Sequence, residues 1–591
     1  MGRSVRWAFA LGIALVLGFG IAACGGDDEG GGGGGDEQSA STGAPVKGKQ
    51  GGKLTVLWTD DVDFIDPGRS YYVMGYFVSS ATQKALYSYK PDDGEKMVPD
   101  LADGEPQVSE DGRTVTVKIQ KGVKFSPPVD REVTSKDVKY AIERGFFRSV
   151  NNGYAGAYFG DIQGAEVGAK PGTTIRGIET PDDQTIVLNL RTPTGGVYAS
   201  GALSQMLTAP VPEEYARKFD AESDSTYGQN QVATGPYMIE NNAQGKAIGY
   251  EPGKRIRLVR NPNWDKSLDY KPAYVDEIDM PQGNDDTAVA ARRILTGQSL
   301  ISGDFATPPA VLKQAVTENK SQVLLIPSGG QRYVSMNTTV KPFDDVNVRK
   351  AVVAGFDRTA MRLSRGGEIL GDIPTHFIPP GIAGFEESGG AKGPGLDFMS
   401  KPDGDPALAA EYFKKAGMSS GKYEGSGEVL MVGTSEGVAQ KAAEVAKENF
   451  EKLGFKVRLR LVTQDSMYTK FCNLPEADVA LCPNVGWSKD FSDAQTILDP
   501  TFNGKNIIPE NNSNWPELDV EAINKKMDAA KELSDPAERA KAWAEVNKLV
   551  TEQAPGINWI WDKEPQVASK NVNAVASQFN HHWDLAWTSL K

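Results

Sequence analysis

Three histidines and three cysteines supply all the imidazole and thiol chemistry open to this 591-residue chain. His581 and His582 are adjacent, and adjacent side chains on a strand point to opposite faces, which is poor chelating geometry. His376 lies far away in sequence, so no metal site and no cofactor are expected. A serine hydrolase would have to take its base from these same histidines. The nearest approach to a nucleophile elbow, Gly425-Ser426-Gly427, lacks both the required spacing and a strand-to-helix turn. The 78 carboxylates leave a two-carboxylate glycosidase open, but no pair stands out, and the chain is read as a binder rather than an enzyme.

Charge and size narrow the class further. Lys and Arg number 64 against 78 Asp and Glu, a net charge of -14 with no basic block, which argues against nucleic-acid binding. Ten Trp and nineteen Tyr suit binding clefts as well as cores. A chain of 591 residues is too long for one core and implies two to four domain-sized units. The repeats or modular sandwiches of a surface adhesin are not seen.

The first residues read as an address. Arg3 and Arg6 precede an uncharged, mostly apolar run at 7–23 that ends Ile21-Ala22-Ala23-Cys24. This resembles a bacterial lipoprotein box, in which cleavage before the cysteine leaves a lipid on its sulfur. The other reading, an uncleaved membrane helix, is at the short limit for spanning. Residues 1–23 are expected to be a signal peptide, Cys24 the lipidation site, and the Gly-rich stretch 24–50 a flexible tether. Loss of the two arginines takes the net charge from -14 to -16. An oxidising exterior favours a disulfide between Cys472 and Cys482, ten residues apart, over free thiols or a metal pair.

Alternation predicts strands at 53–57, 114–119, 185–190, 255–259, 428–432, 456–462 and 478–482. Ser135 is the expected N-cap of a helix carrying Val138, Ala141, Ile142 and Phe146 on one face. A helix at 437–453 carries Val438, Ala442, Val445, Phe450 and Leu453, and Gly454 stops it. With its flanking strands it should form a parallel crossover. Asp535-Pro536-Ala537-Glu538 opens a further helix as a capping box. The pattern is α/β in both halves, with lobes around a cleft.

Several segments, in order, resemble the extracytoplasmic solute-binding proteins of ABC importers, family 5, the oligopeptide, dipeptide and nickel binders. Gly51-Gly52-Lys53-Leu54-Thr55-Val56 with Ile65-Asp66-Pro67 is similar to the family's opening strand and turn. Val98-Pro99-Asp100-Leu101-Ala102, Lys121-Gly122-Val123-Lys124-Phe125, Thr134-Ser135-Lys136-Asp137-Val138 and Thr234-Gly235-Pro236-Tyr237 continue it. So do Pro342-Phe343-Asp344-Asp345-Val346 and Val348-Arg349-Lys350-Ala351. Ser126-Pro127-Pro128 departs from the family's usual Asp-Gly.

The resemblance implies a periplasmic-binding-protein-like bilobal α/β fold with an inserted subdomain. Lobe I would comprise residues 51–85, 232–325 and 553–591, the insert 86–231, and lobe II 330–552, with two or more crossing strands as the hinge. It implies a monomer that captures a peptide-like solute and hands it to ABC permease transmembrane subunits at the outer face of the cytoplasmic membrane. A sugar, an amino-acid derivative or a metal chelate is the alternative cargo. Gly486-Trp487-Ser488-Lys489-Asp490 resembles the segment in which Trp lines the cleft and Asp pairs with the ligand's α-amino group. The implied ligand-binding residues are Gly486, Trp487, Asp490 and, in the acidic loop before Asp66, Asp61; Asp493 is the near alternative to Asp490.

Overall fold

A computed structural model describes residues 43–591 apart from 60, 71, 72, 222, 306, 436, 510 and 511. The signal peptide, Cys24 and most of the tether therefore lie outside the described residues.

The first sheet is mixed. Strand β1 (Lys53–Leu57) lies between β3 (Glu277–Pro281) and β4 (Leu300–Ser302), parallel to both, and β2 (Arg255–Arg260) runs antiparallel to β3. The period-two pattern places Leu54, Val56, Ile256, Leu258, Ile278 and Met280 in one core, with Trp58 fully buried among them. Outward-facing Arg255 and Arg257 meet Asp279 and Glu277 across the strands.

Residues 107–189 carry a four-stranded antiparallel sheet that includes Thr114–Lys118 and Thr185–Asn189, both close to expectation. Helix α1 (Ser135–Gly145) begins one residue earlier in its capping than expected. Its N-cap is Thr134, whose backbone N–H donates to Asp137 at 2.8 Å, because the Ser135 hydroxyl is drawn instead to the Asp182 carbonyl at 2.5 Å. Buried Arg144 near the end of α1 donates to both oxygens of Asp66, at 3.0 and 2.7 Å, and to Asp220 at 2.8 Å. Burial works against its charge, and the two carboxylates outweigh that effect and raise its pKa. The Asp66-Pro67 turn is thus clamped to α1.

The second sheet contains β5 (Val323–Met336), β6 (Glu428–Thr434), β7 (Lys456–Val462), β8 (Leu481–Ser488) and β9 (Gly556–Val567). The expected crossover is present: β6 and β7 are parallel, joined by α2 (Gly437–Lys452), although Val438 in its first turn stays exposed. Helix α3 (Pro536–Glu552) starts as expected, with Asp535 accepting from Ala537 and Glu538 N–H.

The strand expected at 478–482 is displaced. Pro475 opens a short 3-10 turn and Asp478 adopts φ 48°, so pairing begins only at Leu481. From there β8 runs antiparallel to β5 as far as Ser488 opposite Gly330. Gly486 and Trp487 are therefore strand residues, not residues beyond a strand.

Strands β5 and β9 pair along most of their length, with register shifts between residues 327 and 331 and between Arg332 and Tyr333. Leu324 and Ile326 pack with Trp58 and Trp583, whereas Tyr333 packs with Phe377 and Phe502. Strand β5 thus serves both cores, while Ile557, Trp559, Ile560 and Val567 of β9 enter a third core beside them.

Candidate functional site

A cavity of about 260 Å³ opens where β5, β8 and β9 meet. Gly486 and Trp487 line it. The Trp487 indole N–H donates to the Thr496 carbonyl at 2.7 Å, which fixes the ring as part wall, part core. Gly486 stands opposite Arg332, and a Cβ there would lie 2.9 Å from Arg332 Nη1.

The cavity is charged. Arg332 Nε lies 2.6 Å from Asp562, and Arg365 Nε 2.8 Å from the same carboxylate. Glu564, two residues along β9, also lines the cavity. Burial, and then the Asp562 charge, push the Glu564 pKa up despite both guanidiniums. Burial opposes the Arg332 charge, but Asp562 and Glu564 outweigh it and raise its pKa; at Arg365 burial and Arg332 prevail and lower it. None of these four was singled out from sequence. The available signal was a pair of acids with strand spacing, Asp562 and Glu564, following the apolar run Trp559-Ile560-Trp561.

The Cys472–Cys482 disulfide is formed as expected. It ties β8 to the π-helical turn Tyr468–Cys472, whose Tyr468 also lines the cavity. Replacing both cysteines by alanine is expected to cost roughly 3 kcal/mol at most in the chain-entropy account, read by denaturant unfolding. A shift indistinguishable from zero would mean that the bridge does not hold this wall.

Asp490 follows β8 by two residues. Tyr158 donates its hydroxyl to the carboxylate, Tyr154 adds a second hydroxyl, and the two rings stack at 5.9 Å. The backbone carbonyl of Asp490 accepts from Gln205 at 2.6 Å, and Gln205 accepts from Tyr76 at 2.9 Å. Burial pushes the carboxyl up to about 7, and the hydroxyls only partly oppose it; no cation contributes. The adjacent Lys489 is directed elsewhere, with Nζ 3.4 Å from the Gly94 carbonyl, and burial pushes it down to about 8.

Asp493 has the opposite environment. It is buried and paired with Arg539 at 2.9 Å. Between the two, Phe491 inserts into the core of the 107–189 sheet, so close to Gly201 that a Cβ there would lie 2.5 Å from it. Ser492 donates to the Gly94 carbonyl. Asp61 sits on the first sheet's side, not in the cavity wall, and accepts from Tyr250 at 3.1 Å, Gly253 N–H at 2.8 Å and Gln282 at 2.9 Å.

The histidines are embedded. Burial pushes His376 and His582 down to about 4. His376 faces the Gly390 carbonyl at 3.0 Å, and His582 faces Gln566 at 3.2 Å. Among the described residues no group of three His, Cys, Asp or Glu is placed to hold a metal ion.

Two mixed sheets whose cores share strand β5, with a charged cavity where β5, β8 and β9 meet, define a bilobal protein of the periplasmic-binding type. The chain matches the family model for bacterial extracellular solute-binding proteins, family 5 (middle region), over residues 96–508. It belongs to that family, one of binding proteins rather than enzymes. It is similar to di/tripeptide-binding protein 3 of Pseudomonas aeruginosa, 24% identical over 476 residues covering 78% of this chain and 80% of the relative. Glutathione-binding protein GsiB of Salmonella paratyphi A is 24% identical over 513 residues, 86% of this chain and 88% of its own. The solved structure of clavulanic acid biosynthesis oligopeptide binding protein 2 superposes with a TM-score of 0.79 at 25% identity, covering 94% of this chain and 99% of its own.

Proposed function

We propose that this protein is the lipid-anchored capture subunit of an ABC importer, taking a peptide-like solute at the outer face of the cytoplasmic membrane and passing it to permease subunits. The observation that carries the peptide reading is Asp490: a carboxyl held by two tyrosine hydroxyls with no cation contributing, outside the cavity lining and three residues along the chain from Trp487, which belongs to it. A ligand's α-ammonium supplies the missing counter-ion through a charge-assisted bond. The names of the peptide- and glutathione-binding relatives support the same cargo class. In this reading lobe I is 51–85, 232–325 and 553–591, the insert is 86–231, and lobe II is 330–552. Strands β5 and β9 are the hinge, and the ligand stabilises the closed state.

Mass spectrometry of solute released from protein purified out of native cells tests the cargo. Peptide masses support the proposal; a sugar or a metal chelate sinks it. X-ray scattering tests closure, with a smaller radius of gyration expected on ligand addition.

Anchoring through Cys24 rests on the Ile21-Ala22-Ala23-Cys24 sequence behind its apolar run. Cys24→Ser is expected to release the protein into the medium or leave the precursor uncut. Unchanged membrane retention in fractionated cells argues against the anchor.

A further inference from the structure

The cavity beside Trp487 is lined by two buried polar atoms that the fold leaves unpaired and by one half-buried acid. Glu564 accepts no hydrogen bond among the described residues; burial acts on it first, then the charges of Asp562, Arg365 and Arg332. Asn484 Oδ1 is buried without a partner. Gln331, 1% exposed, accepts from Asn558 at 2.6 Å, but its Nε2 has no acceptor. All three residues line the same cavity. Buried polar atoms left unpaired are costly, so a ligand group that pairs them is stabilised there.

The charges decide which group. Arg332 donates through Nε to Asp562 at 2.6 Å, and Arg365 forms an ion pair with the same carboxylate at 2.8 Å, so one acid is shared by two guanidiniums. Glu564 nevertheless sits above its ordinary range, whereas Arg332 already lies in a field that favours its charge. An incoming anion would meet Asp562 and Glu564 as well as a guanidinium already paired with Asp562. An incoming cation finds a carboxylate lacking a donor, a neutral acceptor in Asn484, and the Trp487 wall, in a space of about 260 Å³.

We propose that this cavity is the subsite for a cationic side chain of the captured solute, a guanidinium or an alkylammonium, with Glu564 as its counter-ion. Asn484 adds a second acceptor, and Gln331 donates to a carbonyl of the ligand's main chain. The assignment rests on the peptide reading above and adds to it the class of side chain.

Calorimetric titration of tripeptides tests it. Arginine, or its neutral isostere citrulline, is placed in turn at each of the three positions among alanines. Wild type is expected to prefer arginine by about 10- to 100-fold at one position, the effect of a hydrogen-bonded charge. In Glu564→Gln the preference should collapse toward unity while the citrulline peptide binds as before. Asn484→Asp, which adds a carboxylate and removes none, should increase the preference, and it carries the test if Glu564→Gln fails to fold. Equal binding of arginine and citrulline peptides at every position overturns the subsite. So does a preference that survives Glu564→Gln, or one unchanged in folded Asn484→Asp. If no tripeptide binds wild type, the peptide reading fails and free L-arginine against L-citrulline decides the subsite. A preference for arginine abolished by Glu564→Gln retains it; equal binding, or none, overturns it.

Discussion

Asp490→Asn is expected to weaken binding of a peptide with a free amino terminus by roughly two to four decades and to spare its N-acetylated form. The substitution keeps the shape and the tyrosine hydroxyl contacts of the side chain but removes the charge. Losing one partner of a desolvated ion pair costs roughly 3–5 kcal/mol, because the other charge stays buried and unpaired. Acetylation removes that other charge, so the acetylated peptide has nothing to lose. Calorimetric titration of both peptides into both proteins checks this. An equal loss for both peptides points to misfolding, and no loss for either places Asp490 off the ligand. The pH dependence has a definite sign. In the free protein the carboxyl is pushed up to about 7, so below that pH it must release a proton before it can pair with an ammonium. Affinity for the free-amino peptide should therefore fall as pH drops below 7, and the asparagine variant should be flat over the same range. Stability follows the same linkage. An acid whose folded pKa is raised adds no penalty below its unfolded value and the full penalty above its folded value. Ligand-free Asp490→Asn should thus melt higher than wild type at pH 8 and the same at pH 4.

Arg144→Met is the second large effect. It leaves Asp66 and Asp220 buried without their shared guanidinium. The expected loss is roughly 3–5 kcal/mol in the calorimetric transition of the part that contains α1. The triple variant Arg144→Met, Asp66→Asn, Asp220→Asn should recover most of it, since no uncompensated charge remains. A single variant that melts like wild type would mean that solvent reaches the carboxylates.

The parts legible in the sequence are those governed by local pattern. Lys53–Leu57 and Lys456–Val462 occupy the predicted residues because alternation over five to seven residues leaves one register with its apolar face buried. The bounds of β8 are not legible in the sequence because Pro483, Asn484 and Gly486 are poor strand formers, held extended by pairing with β5 rather than by preference. β5 is hidden in the same way by Ser328-Gly329-Gly330. Gly486, Trp487 and Asp490 are legible only through resemblance to a family segment. Arg332 and Asp562 are 230 residues apart, and no window of sequence brings them together. Asp490 and Asp493 look alike in sequence, and only the Arg539 partner of one and the tyrosines of the other distinguish them.

Phe491 has a thermal consequence. Its ring is buried in the core of the 107–189 sheet, while Trp487 and Ile497 on either side of it in the chain belong to the opposite core. Any separation of the two parts withdraws an aromatic ring from an apolar seat into water. Hydrating apolar surface raises heat capacity. A titration that closes the protein should therefore show a negative heat-capacity change even with a wholly polar peptide, and most of that change would belong to the protein's own seam rather than to the cargo.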